Sequence, residues 1–271
     1  MVAGHWGTEH AIADVLAALI VRQFPGLTVA HAEADTDPYC YLADKRIFTF
    51  IKGETSMSLD AATLALVAGE LKNTLLDARI DKIFEPTRDE VLITLRTRTE
   101  THRLLLSARS GSARVCLTRE SFENPLTPPG FCMLLRKHLT GGRLVELRRE
   151  PGDRIVYFDF RCTNEMGDLV TNTLAVELMG RYSNLVLVQN GRIIDALKRV
   201  DFDDSEVRQL LPGLAYTLPP KPARPDFWRR VPLSSWRLPV RRRLPVAQAL
   251  GKTVAGVGPV VVREAACRAL G

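Results

Sequence analysis

The sequence predicts an α+β fold in which short antiparallel strands form a sandwich-like domain with flanking helices. Many short apolar runs bounded by turn residues indicate strands, and two segments carry apolar residues at helical spacing. The chain has 271 residues, of which 46% are hydrophobic and 25% charged. This composition supports a substantial core and excludes a disordered tail or a small disulfide scaffold.

Two helices are predicted from residue spacing and capping. The first begins after Ser58 or Asp60, which are both good N-cap residues. Its apolar positions recur with a period of about 3.6 residues, at Leu64, Val67 or Ala68, Leu71 and Leu75. The second runs from Phe131 to Leu139 and ends at the C-cap Gly141-Gly142.

The strands are predicted from short runs of aliphatic and β-branched residues. In chain order they are Arg79–Phe84, Val91–Leu95, His102–Ser107, Arg114–Leu117, Leu144–Arg149, Ile155–Phe160, Leu174–Leu178, Leu185–Val188 and Arg192–Leu197. Asn190-Gly191, which joins the last two strands, is typical of a type I′ hairpin turn. Many short strands with few helices favour an antiparallel arrangement.

Charge is unevenly distributed along the chain. Residues 1–56 hold four Lys and Arg against seven Asp and Glu, so the remainder carries +9 within a total of +6. The codons of Lys52-Gly53-Glu54 can form a bacterial ribosome-binding sequence just upstream of Met57. We therefore expect residues 1–56 to be a mistranslated leader or a poorly ordered extension. The apolar run Ala11–Val21 follows Glu9 and no basic segment, which disfavours a signal peptide.

Three further regions are expected after this extension. Residues 57–220 form the main domain, and residues 221–245 form a basic, proline-rich linker. Residues 246–271 are predicted to begin a helix-hairpin-helix domain that is truncated. The pattern rests on the turn Gly256-Val257-Gly258, followed by Pro259 at the first position of a helix. In such a turn, backbone N–H groups can point towards a phosphate, although a Gly-x-Gly-Pro turn between helices is sometimes only a packing turn.

The residue types needed for catalysis or metal binding do not form a recognisable pattern. The five cysteines are scattered, without C-x-x-C spacing, which predicts buried, reduced thiols and no metal site. We therefore expect no catalytic residue and no cofactor. No run of about eighteen apolar residues exists, so no membrane partner is expected. A pI of about 9.2 favours a polyanionic partner.

A series of longer segments is more specific than any of these patterns. The segments are LSAR (106–109), ENPLTPPGFCMLLRKHLTGGR (123–143), GDRI (152–155), NEMGD (164–168), VELMGRYSNLVLV (176–188), IIDALKRV (193–200) and LLPGLAYTLPP (210–220). In this order and spacing, the chain resembles the N-terminal domain of the NFACT family over nearly all of residues 57–271. The resemblance implies a fold similar to the N-terminal domain of formamidopyrimidine-DNA glycosylases.

The resemblance also implies a function in ribosome-associated quality control, in the cytoplasm and on the ribosome. Family members bind a large ribosomal subunit that still holds peptidyl-tRNA. They recruit tRNA, alanyl-tRNA in bacteria, and promote mRNA-independent tailing of the stalled nascent chain. Because the ribosome itself forms the peptide bonds, the resemblance implies that the protein is not an enzyme and needs no metal or cofactor.

Three residues match the tRNA-binding determinants of the family, namely Asp60, Asp153 and Arg154. The planar guanidinium of Arg154 suits a phosphate or a base edge. The two carboxylates could accept hydrogen bonds from base amino groups, or could hold Arg154 in position. Structural interpretations stay open beside these: Asp60 could cap the first helix, and Asp153-Arg154 could form a turn before the strand at Ile155.

Seven further residues are candidate RNA contacts: Arg109, Arg114, Arg136, Lys137, Asn164, Glu165 and Arg181. Arg136 and Lys137 also lie where cations favour the C-terminal end of a helix dipole. Arg181 could bind RNA or pair with Glu165.

Two other functions compete with tRNA binding. Glycosylases of similar fold use an N-terminal proline amine followed by Glu, whereas Met57 is followed by Ser58 and Leu59, which disfavours that activity. A surface adhesin with fibronectin as its partner is the alternative suggested by the older family name, fibronectin-binding protein A. The chain shows no secretion signal of normal form, and its charge balance suits RNA better.

Overall fold

The structure, a computed structural model, describes residues 59–220, 256–258 and 262. These residues fall into two compact units. One unit contains Asp60–Leu66 and the described residues from 256 onward, and the other contains residues 67–220.

Several predicted segments therefore lie outside the described residues. These are the N-terminal extension 1–56, the linker 221–245 and most of the helix-hairpin-helix segment 246–271. The division of the chain into these domains stays a prediction.

Two helices lie within residues 59–220: α1, Ala61–Leu75, and α2, Gly130–Leu139. The backbone N–H of Thr63 donates to the Asp60 carboxylate at 2.7 Å, so the predicted N-cap of α1 is present. Just beyond α2, Gly141 has a φ of 78°, the left-handed conformation that commonly ends a helix. The start of α1 and the end of α2 thus follow from residues close in sequence.

Nine strands occupy most of the remaining described chain. They are β1 (Arg79–Thr87), β2 (Glu90–Arg96), β3 (Thr101–Ser107), β4 (Arg114–Leu117), β5 (Arg143–Arg149), β6 (Ile155–Thr163), β7 (Leu169–Glu177), β8 (Asn184–Gln189) and β9 (Arg192–Ala196). All nine predicted strands are present, with shifted ends. The largest shift is in β7, which begins at Leu169 and not at Leu174, because the polar residues Thr171–Thr173 concealed its first half.

The strands pair antiparallel in the order β4-β3-β2-β1-β5-β6-β7-β8-β9. This order describes two meanders, β1–β4 and β5–β9, joined through β1 and β5. Strand pairing at the joint is limited to Arg79 and Arg143. The predicted α+β class with a mostly antiparallel sheet is confirmed, and the nine strands form one continuous sheet. At the far edge, Asn190 and Gly191 have φ values of 51° and 74°, which confirms the type I′ hairpin turn.

The sheet curves so that its second meander returns to its first. Lys198 directly follows β9, and its Nζ lies 2.7 Å from the Asp89 carboxylate in the β1–β2 turn. The same ammonium donates to the carbonyl of Ala108, just beyond β3, at 2.7 Å. Both faces are buried even in β8, the strand next to the edge strand β9, where residues 184–188 are all buried.

Helix α2 also connects the two meanders. Arg136 donates from Nε to the carbonyl of Ile83 in β1 at 2.8 Å. On the other side, the buried Asn172 of β7 donates from Nδ2 to the carbonyl of His138 at 2.8 Å. The helix is thereby fixed against strands from both halves of the sheet.

A buried ion pair attaches the segment after β9 to the sheet. Arg208 donates from two guanidinium nitrogens to the Glu177 carboxylate at 2.9 and 2.6 Å, and Tyr216 donates its hydroxyl at 2.8 Å. The side chains of Glu177 and Arg208 are only 2% and 11% exposed. Burial, and then the Glu177 carboxylate, raises the pKa of Tyr216 far above its usual range, so the hydroxyl keeps its proton.

This ion pair leads to a stability prediction. We expect Arg208→Met to lower the free energy of unfolding by about 3 kcal/mol, because it leaves a buried carboxylate without its cation. Urea denaturation followed by circular dichroism measures the change. Arg161→Met, at an exposed position of β6, is the matched control and should have little effect. Equal losses in the two variants would contradict a specific role for the pair.

Candidate nucleic-acid interface

Two adjacent loops bring together the candidate residues at one end of the β5–β9 meander. The β5–β6 loop carries Asp153 and Arg154, and the β7–β8 loop carries Arg181. The loops are joined by a backbone hydrogen bond of 2.8 Å, from the N–H of Leu178 to the carbonyl of Arg154. The structure therefore places these three candidates at the same end of the sheet.

The β5–β6 loop forms the turn that the sequence suggested. Gly152 has a φ of 70°, which favours glycine, and the N–H of Asp153 donates to the carbonyl of Glu150 at 3.2 Å. The Asp153 carboxylate then accepts the backbone N–H of Arg154 at 2.8 Å. Asp153 thus holds the backbone of Arg154 and leaves its guanidinium to other partners.

The guanidinium of Arg154 is the least engaged of the candidate arginines. Among the described residues it has neither a hydrogen bond nor an ion pair, although the side chain is half-buried. A guanidinium carries five N–H donors in a planar fork, which matches the geometry of a phosphate or of a base edge. The arrangement can therefore bind an anionic or hydrogen-bonding ligand at this end of the sheet.

The β7–β8 turn presents an arginine stacked on an aromatic ring. Residues Gly180–Tyr182 form a short 3₁₀ turn, and Gly180 has a φ of 61°. The guanidinium carbon of Arg181 lies 4.6 Å from the Tyr182 ring centroid, and its Nη2 donates to the Tyr182 hydroxyl at 2.5 Å. The Tyr182 residue is 68% exposed. Sequence analysis missed Tyr182, although its place in the segment VELMGRYSN was a signal.

A buried carboxylate holds two more of the candidate arginines. Glu90, whose side chain is 4% exposed, accepts Nη2 of Arg109 at 3.1 Å and lies 3.9 Å from Nη2 of Arg114. The hydroxyls of Ser107 and Thr87 each donate to it at 3.1 Å. The two arginines remain 51% and 40% exposed. Both arginines pair with the buried Glu90, and part of each guanidinium side chain remains exposed to solvent.

Lys198 is a second residue that sequence analysis did not select. The buried amide of Asn184 accepts the Lys198 N–H at 2.9 Å and donates to its carbonyl at 2.6 Å. This backbone clamp directs the ammonium towards Asp89 and Ala108 of the first meander. The segments VELMGRYSNLVLV and IIDALKRV, noted separately in the sequence, thus meet in space.

Other candidates lie at the opposite end of β6 and β7. Asn164 accepts and donates several hydrogen bonds within its own loop, including one from its Nδ2 to the Asp168 carboxylate at 3.1 Å. Glu165 pairs with Lys137 of α2 at 3.0 Å. The suggested pair between Glu165 and Arg181 is therefore wrong, because the two residues lie at opposite ends of the same strands.

The basic end of α2 has a structural role in part. Besides its bond to Ile83, Arg136 lies over the Phe84 ring, with 5.5 Å between the guanidinium carbon and the ring centroid. Burial, and then the Lys137 ammonium, lowers the pKa of His138, so this imidazole is neutral at neutral pH. Lys137, paired with an exposed glutamate, is the more accessible of the two cations at this end.

Asp60 belongs to a different compact unit from Asp153 and Arg154. One carboxylate oxygen accepts the N–H of Thr63, and the other accepts the N–H of Gly258 at 2.6 Å. The sequence predicted that the glycine turn would point its N–H groups towards a phosphate. For Gly258 this prediction is wrong, because the Asp60 carboxylate occupies its N–H.

A family model described as "NFACT N-terminal and middle domains" matches residues 60–270. The chain belongs to the NFACT family. The assignment made from the sequence segments is thereby confirmed. Within the described residues of this NFACT chain, no group of His, Cys, Asp and Glu side chains could hold a metal ion, and no helix is long and apolar enough to cross a membrane.

The relatives of the NFACT chain include named quality-control proteins. It is 41% identical over 167 residues to the Rqc2 homolog RqcH of Streptococcus suis, covering 61% of this chain and 30% of the relative. It is 36% identical over 220 residues to the Rqc2 homolog RqcH of Bacillus subtilis, covering 79% and 38%. The chain thus spans about a third of the length of these relatives. Human ribosome quality control complex subunit NEMF is 29% identical over 143 residues, covering 53% of this chain and 12% of NEMF.

Solved structures share the α+β fold of the NFACT chain, with its mostly antiparallel sheet. The N-terminal domain of fibronectin-binding protein PavA from Streptococcus pneumoniae has a TM-score of 0.69 and 32% identity, covering 77% of this chain and 78% of that one. The N-terminal part of the fibronectin/fibrinogen-binding protein from Streptococcus suis also has a TM-score of 0.69, with 35% identity and coverage of 78% and 79%.

The contacts of Lys198 lead to a prediction for the NFACT chain. We expect Lys198→Met to lower the free energy of unfolding by about 1–2 kcal/mol, because a partly exposed ion pair and a hydrogen bond are lost together. Chemical denaturation measures this change. Lys82→Met, at an exposed position of β1, should change stability much less. If Lys198→Met behaves like this control, Lys198 does not hold the two meanders together.

Proposed function

We propose that the chain is the tRNA-binding and ribosome-binding region of a ribosome-associated quality-control factor. It binds an obstructed large ribosomal subunit that holds peptidyl-tRNA. It recruits tRNA, of the alanyl class, for mRNA-independent tailing of the stalled nascent chain. In this proposal it acts in the cytoplasm as a binding factor, and the ribosome forms the peptide bonds. Support comes from NFACT membership and from relatives named RqcH and NEMF.

The observation that carries the proposal at residue level is the Arg154 guanidinium. Its backbone is held by Asp153 on one side and by Leu178 on the other, while its donors have no partner among the described residues. A fixed backbone lowers the entropy lost when such a side chain binds a ligand. We assign Asp60, Asp153 and Arg154 as the tRNA-binding determinants, with Arg154 as the direct contact.

The neighbouring Arg181–Tyr182 stack adds a surface for an unpaired base. Proteins read single-stranded RNA largely by stacking bases on aromatic rings and on guanidinium planes. Tyr182 offers an exposed ring, and Arg181 supplies a cation beside it, in the loop next to Arg154. This combination favours the unpaired part of a tRNA over a regular double helix.

Arg109 and Arg114 extend the positive surface from the first meander. Each keeps about half of its side chain exposed; Arg109 donates a hydrogen bond to Glu90, and Arg114 pairs with it at 3.9 Å. Because Glu90 is buried, its charge fixes the two guanidiniums and remains shielded from a ligand. We assign both as secondary phosphate contacts. Lys137, Asn164 and Glu165, at the opposite end of the second meander, are candidates for a separate ribosomal contact.

The first test removes the Arg154 guanidinium. In the full-length protein, Arg154→Ala should weaken tRNA binding by about tenfold or more and reduce the salt dependence of log K by about one counterion. Filter binding with alanyl-tRNA at several salt concentrations measures both quantities. Arg161→Ala is the matched control, since Arg161 is an exposed arginine near the far end of β6, the strand that begins directly after Arg154.

The outcome also separates two functions. Loss of tRNA affinity with unchanged circular dichroism supports the proposal. Unchanged affinity and unchanged alanine tailing on isolated large subunits would overturn it. The second candidate is fibronectin binding, favoured by the names of two solved structures of similar fold. A protein that only binds fibronectin has no need to bind tRNA. Absence of tRNA binding by the wild-type protein in the same assay would therefore favour this second candidate.

A second test concerns Tyr182. We expect Tyr182→Ala to weaken tRNA binding by a factor of about 5 to 100, because stacking on one base contributes about 1–3 kcal/mol. Tyr182→Phe keeps the ring and should retain most of the affinity. Neither change should alter the salt dependence, because no phosphate contact is lost. Similar losses for Ala and Phe would assign the effect to the hydroxyl and contradict stacking.

A further inference from the structure

The Asp60 carboxylate joins two stretches that are far apart in sequence. Oδ1 accepts the N–H of Thr63 at 2.7 Å and so caps α1, and Oδ2 accepts the N–H of Gly258 at 2.6 Å. Both residues belong to the same compact unit as Asp60. Hydrogen bonds to an ionised carboxylate are about twice as strong as neutral ones, so both contacts fix the backbone firmly.

Further contacts attach the glycine turn to the first turn of α1. The N–H of Ala62 donates to the carbonyl of Gly256 at 3.1 Å. Ala62 is fully buried in a small apolar cluster with Leu66 and Val257. The turn is therefore bound to the helix on both sides, by a backbone bond at Gly256 and by the carboxylate at Gly258.

Gly258 fits closely against this carboxylate. A Cβ added to Gly258 would lie 2.9 Å from Oδ2 of Asp60 and 3.2 Å from its Cβ, which is closer than real side chains approach. The carbonyl of Gly258 accepts the N–H of the buried Val262 at 3.1 Å, the bond of a first helical turn. Asp60 therefore fixes the residue from which the following helical turn begins.

From this geometry we infer that Asp60 serves tRNA binding as a positioning residue, which fixes the Gly256–Gly258 turn to the start of α1. The inference rests on the proposed function and refines it. A carboxylate would repel the phosphates of RNA, and each oxygen of Asp60 already accepts a backbone N–H. The Gly256–Gly258 turn is then the part whose placement depends on Asp60.

Two different substitutions break the same contact. Asp60→Asn keeps a good helix cap, but its amide replaces one of the two accepting oxygens by an NH2 donor, which faces one of the two N–H groups and cannot accept from it. Gly258→Ala leaves Asp60 unchanged and displaces its carboxylate by contact with the new methyl group. Gly69→Ala is the control, because Gly69 lies inside α1 with no atom within 4 Å of an added Cβ.

In the full-length protein we expect both variants to lose the same amount of tRNA affinity. Asp60→Asn and Gly258→Ala should each weaken alanyl-tRNA binding by about tenfold, and the double variant should be no weaker than either alone. Hydrogen exchange of the peptide that contains Gly258 should become faster in all three variants. Circular dichroism should not change, and Gly69→Ala should bind tRNA like the wild type.

Each other outcome has a definite meaning. If Gly258→Ala exchanges faster but binds tRNA normally while Asp60→Asn does not, Asp60 contacts tRNA directly and the inference is wrong. Additive losses in the double variant would contradict it as well. If both variants bind normally while Arg154→Ala fails, the inference is wrong and the proposed function stands. If Arg154→Ala also binds normally, the proposed function itself fails.

Discussion

The narrow joint between β1 and β5 is the constraint on which the rest of the domain depends. Strand pairing at this joint is limited to Arg79 and Arg143, and four further backbone hydrogen bonds link residues 77–80 to residues 141–144. Beside it, a Cβ on Gly142 would lie 2.5 Å from Sγ of Cys162 and 2.9 Å from the carbonyl of Leu139. Glycine is therefore required for the end of α2 to reach the sheet. Away from this joint, contacts of Lys198 and Arg136 also hold the two meanders together.

Many of the arginines are structural because buried carboxylates need them as partners. Glu177 and Glu90 are both buried carboxylates, and each recruits guanidinium groups from distant parts of the chain. A buried charge without its partner would cost several kcal/mol, so the buried Arg208 cannot be released to a ligand, whereas Arg109 and Arg114 remain partly exposed beside Glu90. Arg208 is fully engaged in this way. The guanidinium of Arg154 has no such partner among the described residues and so differs from that of Arg208. Net charge alone could not have distinguished these two arginines.

Local chemistry made most of the fold predictable from the sequence. The Asp60 cap, the Gly141 helix end and the Asn190-Gly191 turn each depend on residues close in sequence, and all three are present. The sequence did not predict how the two groups of strands are joined, because the β1–β5 joint depends on contacts between residues more than sixty positions apart. For the same reason sequence reasoning missed Lys198, whose partner Ala108 is 90 residues away. It also paired Glu165 with Arg181, since strand direction was not known.

The acidic members of the proposed site then have a common physical explanation. Asp153 accepts the backbone N–H of Arg154, and Asp60 accepts backbone N–H groups on both of its oxygens. Neither carboxylate forms an ion pair with a basic side chain among the described residues. In a surface that binds a polyanion, a carboxylate directed inwards can fix the backbone without presenting its charge to phosphates. The basic and aromatic side chains then provide the contact, and the acidic ones determine where that contact is held.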